Sequence, residues 1–217
     1  QDVADRFLIP QKLYGRDRVL ADLLKAFDDT CEGRKALMLV SGYSGIGKTS
    51  LIQELYKPIV RQRGYFIAGK FDQVVRSIPY GALTQAFRNL VWQLLTESED
   101  RLSRWRARLT DALGANGGVL AEVIPEIELI LGEQQAPPPL DPTEARNRFG
   151  YVFQSFIATL ARKDHPLVVF LDDLQWVDAA TLDLLHALVT GPDIQYLLLV
   201  GAYRDNEVDA AHLLTWA

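Results

Sequence analysis

The chain has 217 residues, enough for one domain with a sizeable core, or for one domain and part of another. At 48% hydrophobic and 24% charged it has the composition of a globular protein, and a net charge of −5 offers no general attraction to nucleic acid or to an anionic membrane. The one cysteine, Cys31, excludes an internal disulfide framework and a cysteine-based zinc cluster and fits a reducing, cytoplasmic setting, while no apolar run reaches the ~20 residues of a membrane helix. No signal peptide is visible in these residues, and a chain that opens on Gln1 and closes within a helical pattern reads as a piece of something longer.

Residues 1–35 form a lead-in and a first helix. Tyr14-Gly15-Arg16-Asp17 acts as turn and cap, and Leu20, Leu23, Leu24 and Phe27 follow at helical spacing. Residues 36–70 read as strand, loop, helix and second strand. The apolar run Ala36 to Val40 is followed by Ser41-Gly42-Tyr43-Ser44-Gly45-Ile46-Gly47-Lys48-Thr49-Ser50, and Gly42, Gly47, Lys48 and Thr49 fill the fixed positions of the phosphate-binding loop G-x-x-x-x-G-K-[ST]. Backbone N–H groups can wrap a triphosphate only where no side chain intrudes, so the turn needs glycine at its tight points. Lys48, solvated in the absence of ligand, adds charge toward the β- and γ-phosphates, and the Thr49 hydroxyl is placed to ligate Mg²⁺. The helix that starts near Thr49 runs to about Arg63 and is kinked or ended at Pro58; Gly64 breaks the chain before the strand Tyr65-Phe66-Ile67-Ala68.

Residues 80–162 are helical. Leu83, Phe87, Leu90, Val91, Leu94 and Leu95 make an apolar stripe, and a charged amphipathic segment follows from Ser98 to Leu113. Its arginines Arg101, Arg104, Arg106 and Arg108 stand among Glu97, Glu99, Asp100 and Asp111, which reads as a solvated face and not as a nucleic-acid surface. Gly114 to Gly118 is a turn, Val119 to Leu131 a helix containing Pro125, and Gln134 to Pro142 a connector; Thr143 caps the next helix, which buries Phe149, Val152, Phe153, Phe156, Ile157 and Leu160.

Residues 167–217 return to strands. Leu167-Val168-Val169-Phe170-Leu171 is apolar at every position, as a parallel strand covered on both faces must be, and Tyr196 to Ala202 is a fourth strand after the helix marked by Leu182, Leu185, Leu188 and Val189. A phosphate loop needs an acidic partner at the carboxyl end of a strand: Asp172 fits the Mg²⁺ side, and Asp173 is placed to orient or deprotonate the attacking water. Arg204, at the tip of the fourth strand, either touches the γ-phosphate or pairs on the surface with Asp205 or Glu207. Gly69-Lys70-Phe71-Asp72 is not the guanine-reading N-K-x-D, since Gly stands where Asn belongs. His165, His186 and His212 lack metal-ligand spacing, and Trp176 reads as packing.

With both nucleotide motifs in place the chain resembles the AAA-type ATPase domain of the STAND class of signalling P-loop NTPases. The version it looks most like occurs within large bacterial, often cyanobacterial, multidomain serine/threonine kinases and hybrid sensor histidine kinases. The likeness rests on Leu13 to Asp17, Ser41 to Thr49, Gly64 to Gln73, Val168 to Trp176 and Gly201 to Val208. It implies an α/β fold of three layers with a parallel sheet in the order 5-1-4-3-2 and a helical insertion between strands 2 and 3. The fifth strand and a C-terminal lid would follow this chain. The resemblance further implies that Tyr14, Gly15 and Arg16 lie near the adenine, that Gly42 to Ser50 bind the phosphates of ATP, and that Arg204 is the sensor of the fourth strand. Where AAA-type enzymes usually carry Glu the chain has Asp173, which fits STAND members and speaks against vigorous hydrolysis. The function expected is a slowly hydrolysing, Mg²⁺-dependent ATPase switch of a signalling kinase. Its partners would be the kinase, lid and sensor domains of the same chain, with an ATP-dependent homo-oligomer as a further option and no nucleic acid or membrane. The alternatives are a non-hydrolysing interaction module and a DNA-loading, initiator-type ATPase.

Overall fold

A computed structural model describes residues 17–73, 79–209, 212 and 214. The first helix, α1 (Asp17–Cys31), buries Leu23, Ala26, Phe27 and Thr30, one face at helical spacing, and leads into β1 (Ala36–Ser41). After the phosphate loop come α2 (Lys48–Gln53), α3 (Tyr56–Arg61) and β2 (Tyr65–Lys70). The single helix expected up to Arg63 is therefore broken at Glu54-Leu55. Pro58 accounts for the position: its ring crowds the carbonyl four residues back, which is that of Glu54, and it has no N–H to offer there.

Helices α4 (Gly81–Leu95), α5 (Glu99–Leu113), α6 (Gly117–Ala121), α7 (Glu128–Leu131) and α8 (Pro142–Leu160) fill the space between β2 and β3 (Leu167–Asp172). The helix expected over Val119 to Leu131 is two short ones, parted by a 3-10 turn that starts at Pro125, and the turn expected at Gly114 to Gly118 already becomes helix at Gly117. The cap of α8 is Asp141 and not Thr143. Its carboxylate accepts the backbone N–H of Thr143 at 2.9 Å and of Glu144 at 3.0 Å, with Pro142 at the first helical position where its fixed φ costs nothing. Those amides, led by that of Glu144, hold the Asp141 carboxyl below the usual carboxylate range. Helix α9 (Ala179–Thr190) and β4 (Leu197–Tyr203) complete the described core.

Among the described residues the sheet has four strands, all parallel, in the order β1-β4-β3-β2. Alternation along the strands divides the core in two. Leu167, Val169, Leu171, Leu197 and Leu199 face the large cluster under α4, α5, α8 and α9, whereas Val168, Phe170, Leu198 and Val200 face the smaller one under α1, α2 and α3. This is the three-layer α/β/α arrangement with a helical insertion between the second and third strands. Contact between sheet and insertion is close at Gly69, where a Cβ would stand 2.0 Å from the carbonyl oxygen of Ala82 in α4. No helix among the described residues is long and apolar enough to cross a membrane.

Candidate nucleotide site

Parallel strands bring their carboxyl ends to one edge of the sheet, and in open α/β sheets ligands bind at that edge. β1 ends into the phosphate loop, where Gly45 and Gly47 take φ of 76° and 88°, a region that a residue with a Cβ avoids. Lys48 is not solvated as expected: it is 8% exposed, and its Nζ donates to the carbonyl oxygens of Gly42 at 2.6 Å and Tyr43 at 3.0 Å. The ammonium closes the loop on itself, using two of its three donors on carbonyls that phosphate oxygens would replace. Tyr43 and Ile46 point outward, 65% and 48% exposed, so the loop offers its backbone and not those side chains.

Across the gap, β3 delivers Asp172 and Asp173. Thr49 donates its Oγ1 proton to Asp172 Oδ2 at 3.3 Å, so the hydroxyl and carboxylate expected on the cation already share one hydrogen bond. Asp173 is 5% exposed and adopts φ 57°, a left-handed conformation that aspartate tolerates better than most side chains. Its carboxylate is held from three sides: Gln175 Nε2 donates at 2.9 Å, Lys70 Nζ stands 3.3 Å from Oδ2, and Arg204 Nε stands 3.4 Å from Oδ1. The oxygen of the Gln175 side chain accepts the backbone N–H of Arg204 at 3.1 Å, tying the ends of β3 and β4 together. Arg204 also pairs with Glu207 at 2.7 Å and lies over the Trp176 ring at 5.2 Å; the Glu207 hydrogen bond, opposed by burial and aided by Asp173, raises its already high pKa. The surface pairing of Arg204 with Glu207 is therefore present, together with a contact to Asp173 inside the site, and Trp176 does more than pack.

Loop residues Ser44, Gly45 and Gly47 to Ser50, together with Lys70, Asp172, Asp173 and Arg204, line one cavity of about 280 Å³. Ser50 is half-buried behind the loop. Tyr14, Gly15 and Arg16 lie outside the described residues. Lys70 and Gln175 escaped the sequence reading. The parallel register that sets Lys70 beside Asp172 was the available signal, because the last residue of β2 must reach the same edge as the last residue of β3. The residues present fit a magnesium nucleotide. Glycines leave the loop amides bare, a hydroxyl and a carboxylate stand together, and three cations surround the gap. Thr49 and Asp172 suit Mg²⁺, an ion that keeps waters and takes phosphate oxygens alongside one or two protein ligands.

A parallel sheet of this order, with a phosphate loop after β1 and paired aspartates after β3, is the core of a P-loop NTPase. More narrowly, the chain belongs to the AAA ATPase domain family, which it matches over residues 12–200. The hybrid signal transduction histidine kinase G of Dictyostelium discoideum is 39% identical over 188 residues, covering 87% of this chain and 5% of that protein. Histidine protein kinase 1 of Candida albicans is 22% identical over 184 residues, covering 77% of this chain and 7% of that protein. The chain thus spans a small fraction of the length of the curated relatives it matches. Among solved structures, Cdc6p from Pyrobaculum aerophilum superposes with a TM-score of 0.51 over 93% of this chain and 42% of that one, at 14% identity, a likeness of fold.

Proposed function

We propose that these residues act as one ATPase core of the STAND type, a regulatory module that binds Mg²⁺ and ATP and hydrolyses ATP slowly within a cytoplasmic multidomain signalling kinase. The observation that carries this reading is the convergence of the phosphate loop, Asp172, Asp173, Lys70 and Arg204 on one cavity. Two multidomain histidine kinases among the relatives support the setting.

The residues divide the work by chemistry. Lys48 exchanges the carbonyls of Gly42 and Tyr43 for phosphate oxygens, and the loop amides from Tyr43 to Ser50 hold the rest of the chain of phosphates. Thr49 and Asp172 hold the cation, whose part when bound is to neutralise charge on the phosphates. Asp173 orients the attacking water and accepts its proton. It can do so only when Lys70 and Arg204 turn from its carboxylate to the terminal phosphate, so the ion pairs at 3.3 and 3.4 Å keep the base occupied until a triphosphate competes for them. Slow turnover follows from that competition and from a side chain one methylene shorter than glutamate. ATP and ADP then favour different placements of a lid following this chain, and the kinase reads the difference.

A second reading, a non-hydrolysing interaction or oligomerisation module, draws on the same clamp on Asp173. Comparing ATP hydrolysis by the native chain and Asp173→Asn decides between them: a measurable native rate lost in the variant supports the switch, and equal inactivity with retained ATP binding supports the module. For a DNA-loading ATPase the fold likeness to Cdc6p says nothing by itself, and a net charge of −5 works against it.

A further inference from the structure

A concentration of unmatched charge lies at the other edge of the sheet, about 20 Å from the nucleotide site along strands of six residues. There the chain entering β2 and β3 meets α5. Arg61 and Arg63, just before Tyr65, face Arg101, Arg104 and Arg108 across a cavity of about 560 Å³ with Trp105 and His165 in its lining. The two rings are 2% and 8% exposed and lie 5.4 Å apart, so the lining is fixed by the core. Among the described residues no carboxylate is within ion-pair distance of Arg61, Arg63, Arg104 or Arg108. Arg101 is matched by Glu97 at 3.0 Å, and Asp164, the one carboxylate in the lining, pairs with His165 at 3.2 Å. Arg104 donates to a backbone oxygen, that of Asp100, and Arg108 stacks over Trp105 at 5.5 Å.

Five guanidiniums around one concavity repel one another, and a chain of net charge −5 had carboxylates enough to pair them. Arg63 adds a backbone cost. It occupies the left-handed position after α3 at φ 55°, with the following Gly64 N–H closing the helix end on the Ile59 oxygen at 2.9 Å, a place where glycine would be free of strain. An arginine stands there against conformational preference.

We propose that this cavity binds a small molecule bearing two or more phosphoryl groups. Guanidinium forks match phosphate oxygens two by two, and a monovalent carboxylate would leave most of the charge unmatched. A concavity of this size takes a small molecule, whereas nucleic acid asks for an extended basic stripe. Inorganic polyphosphate and nucleoside polyphosphates share the required chemistry.

The test is calorimetric titration of Mg²⁺-free tripolyphosphate and, separately, Mg²⁺-free ATP into four proteins: the native chain, Lys48→Ala, and Lys48→Ala carrying in addition either the pair Arg63→Gly with Arg104→Ala or the pair Arg18→Ala with Lys25→Ala. The last pair removes the same charge from the exposed face of α1, on the other side of the sheet. The native chain should take up a second equivalent at the phosphate loop, one equivalent should remain in Lys48→Ala and in its combination with the α1 pair, and the affinity of that equivalent should fall at least about tenfold in the combination with the arginine pair. Thermal stability of the arginine pair should stay level or rise, since glycine relieves position 63, so a loss of binding there cannot be a loss of fold. Tighter tripolyphosphate binding assigns the site to inorganic polyphosphate, and tighter ATP binding to nucleoside polyphosphates. Absence of binding to Lys48→Ala, retention when the arginine pair is added to it, or equal loss when the α1 pair is added overturns the proposal; only the first of these bears on the phosphate loop.

Discussion

The two edges of the sheet carry similar side chains to opposite ends. At the carboxyl edge Lys48, Lys70 and Arg204 meet Asp172, Asp173 and two loop carbonyls, so that without ligand the charged groups satisfy each other. At the amino edge four arginines meet no carboxylate among the described residues. The first edge is built to exchange partners: a triphosphate replaces contacts that already exist, at little net electrostatic cost. The second offers charge outright and should respond most steeply to salt.

Breaking the first edge gives the largest effects. Asp173→Asn should lower ATP hydrolysis on the order of 10³-fold while binding ATP at least as tightly, because its two cations are released to the phosphates; phosphate-release kinetics and calorimetry read the two separately. Lys48→Ala should weaken Mg·ATP about a hundredfold, the worth of roughly 3 kcal/mol in charge-assisted hydrogen bonds. Since Lys48 is buried and bonded within the loop, this variant should also lose about 1–2 kcal/mol of stability in the absence of nucleotide, visible in urea denaturation.

How far the sequence foretold this contrast depends on whether the information is local. The phosphate loop, the apolar strands and the aspartates behind β3 are contiguous patterns, and the strand order, implied by family resemblance, agrees with the observed β1-β4-β3-β2. What escaped was contact between distant segments. Lys70 looked like part of a failed guanine motif until the register set it against Asp172. The arginines of α5 read as a solvated face because their near neighbours are acidic. Arg104 and Arg106 are indeed exposed, but the fold also packs Trp105 of that helix against Tyr65, ring centroids 6.2 Å apart, and brings Arg61 and Arg63 to the same cavity as Arg101, Arg104 and Arg108, while Arg106 donates to the Ile130 oxygen. Local misses have local causes: Pro58 acts on the carbonyl of Glu54, ahead of itself, and Asp141, next to a proline, outcompetes Thr143 as a cap.

Smaller effects sharpen the same contrast. Gly69→Ala, which drives a methyl group into the Ala82 carbonyl one residue before Lys70, should cost about 2 kcal/mol or more in chemical denaturation and lower hydrolysis through misplacement of Lys70. Lys70→Ala should lower hydrolysis about tenfold with nearly native stability, its ammonium being largely exposed. The mildest is Asp141→Ala, remote from both edges. The folded Asp141 carboxyl titrates below its unfolded value, so its contribution is present above the ordinary carboxylate range and disappears as pH falls through the folded value. Native and variant melting temperatures should accordingly differ at neutral pH and converge in acid.

The most direct measurement is ATP binding with and without Mg²⁺ to the native chain and to Asp172→Asn. If the loop and the β3 carboxylates share one magnesium-bound triphosphate, Mg²⁺ should tighten ATP on the native chain by about tenfold or more and should do little for the variant. Failure of the native chain to bind ATP, or an equal gain from Mg²⁺ in both proteins, would contradict it.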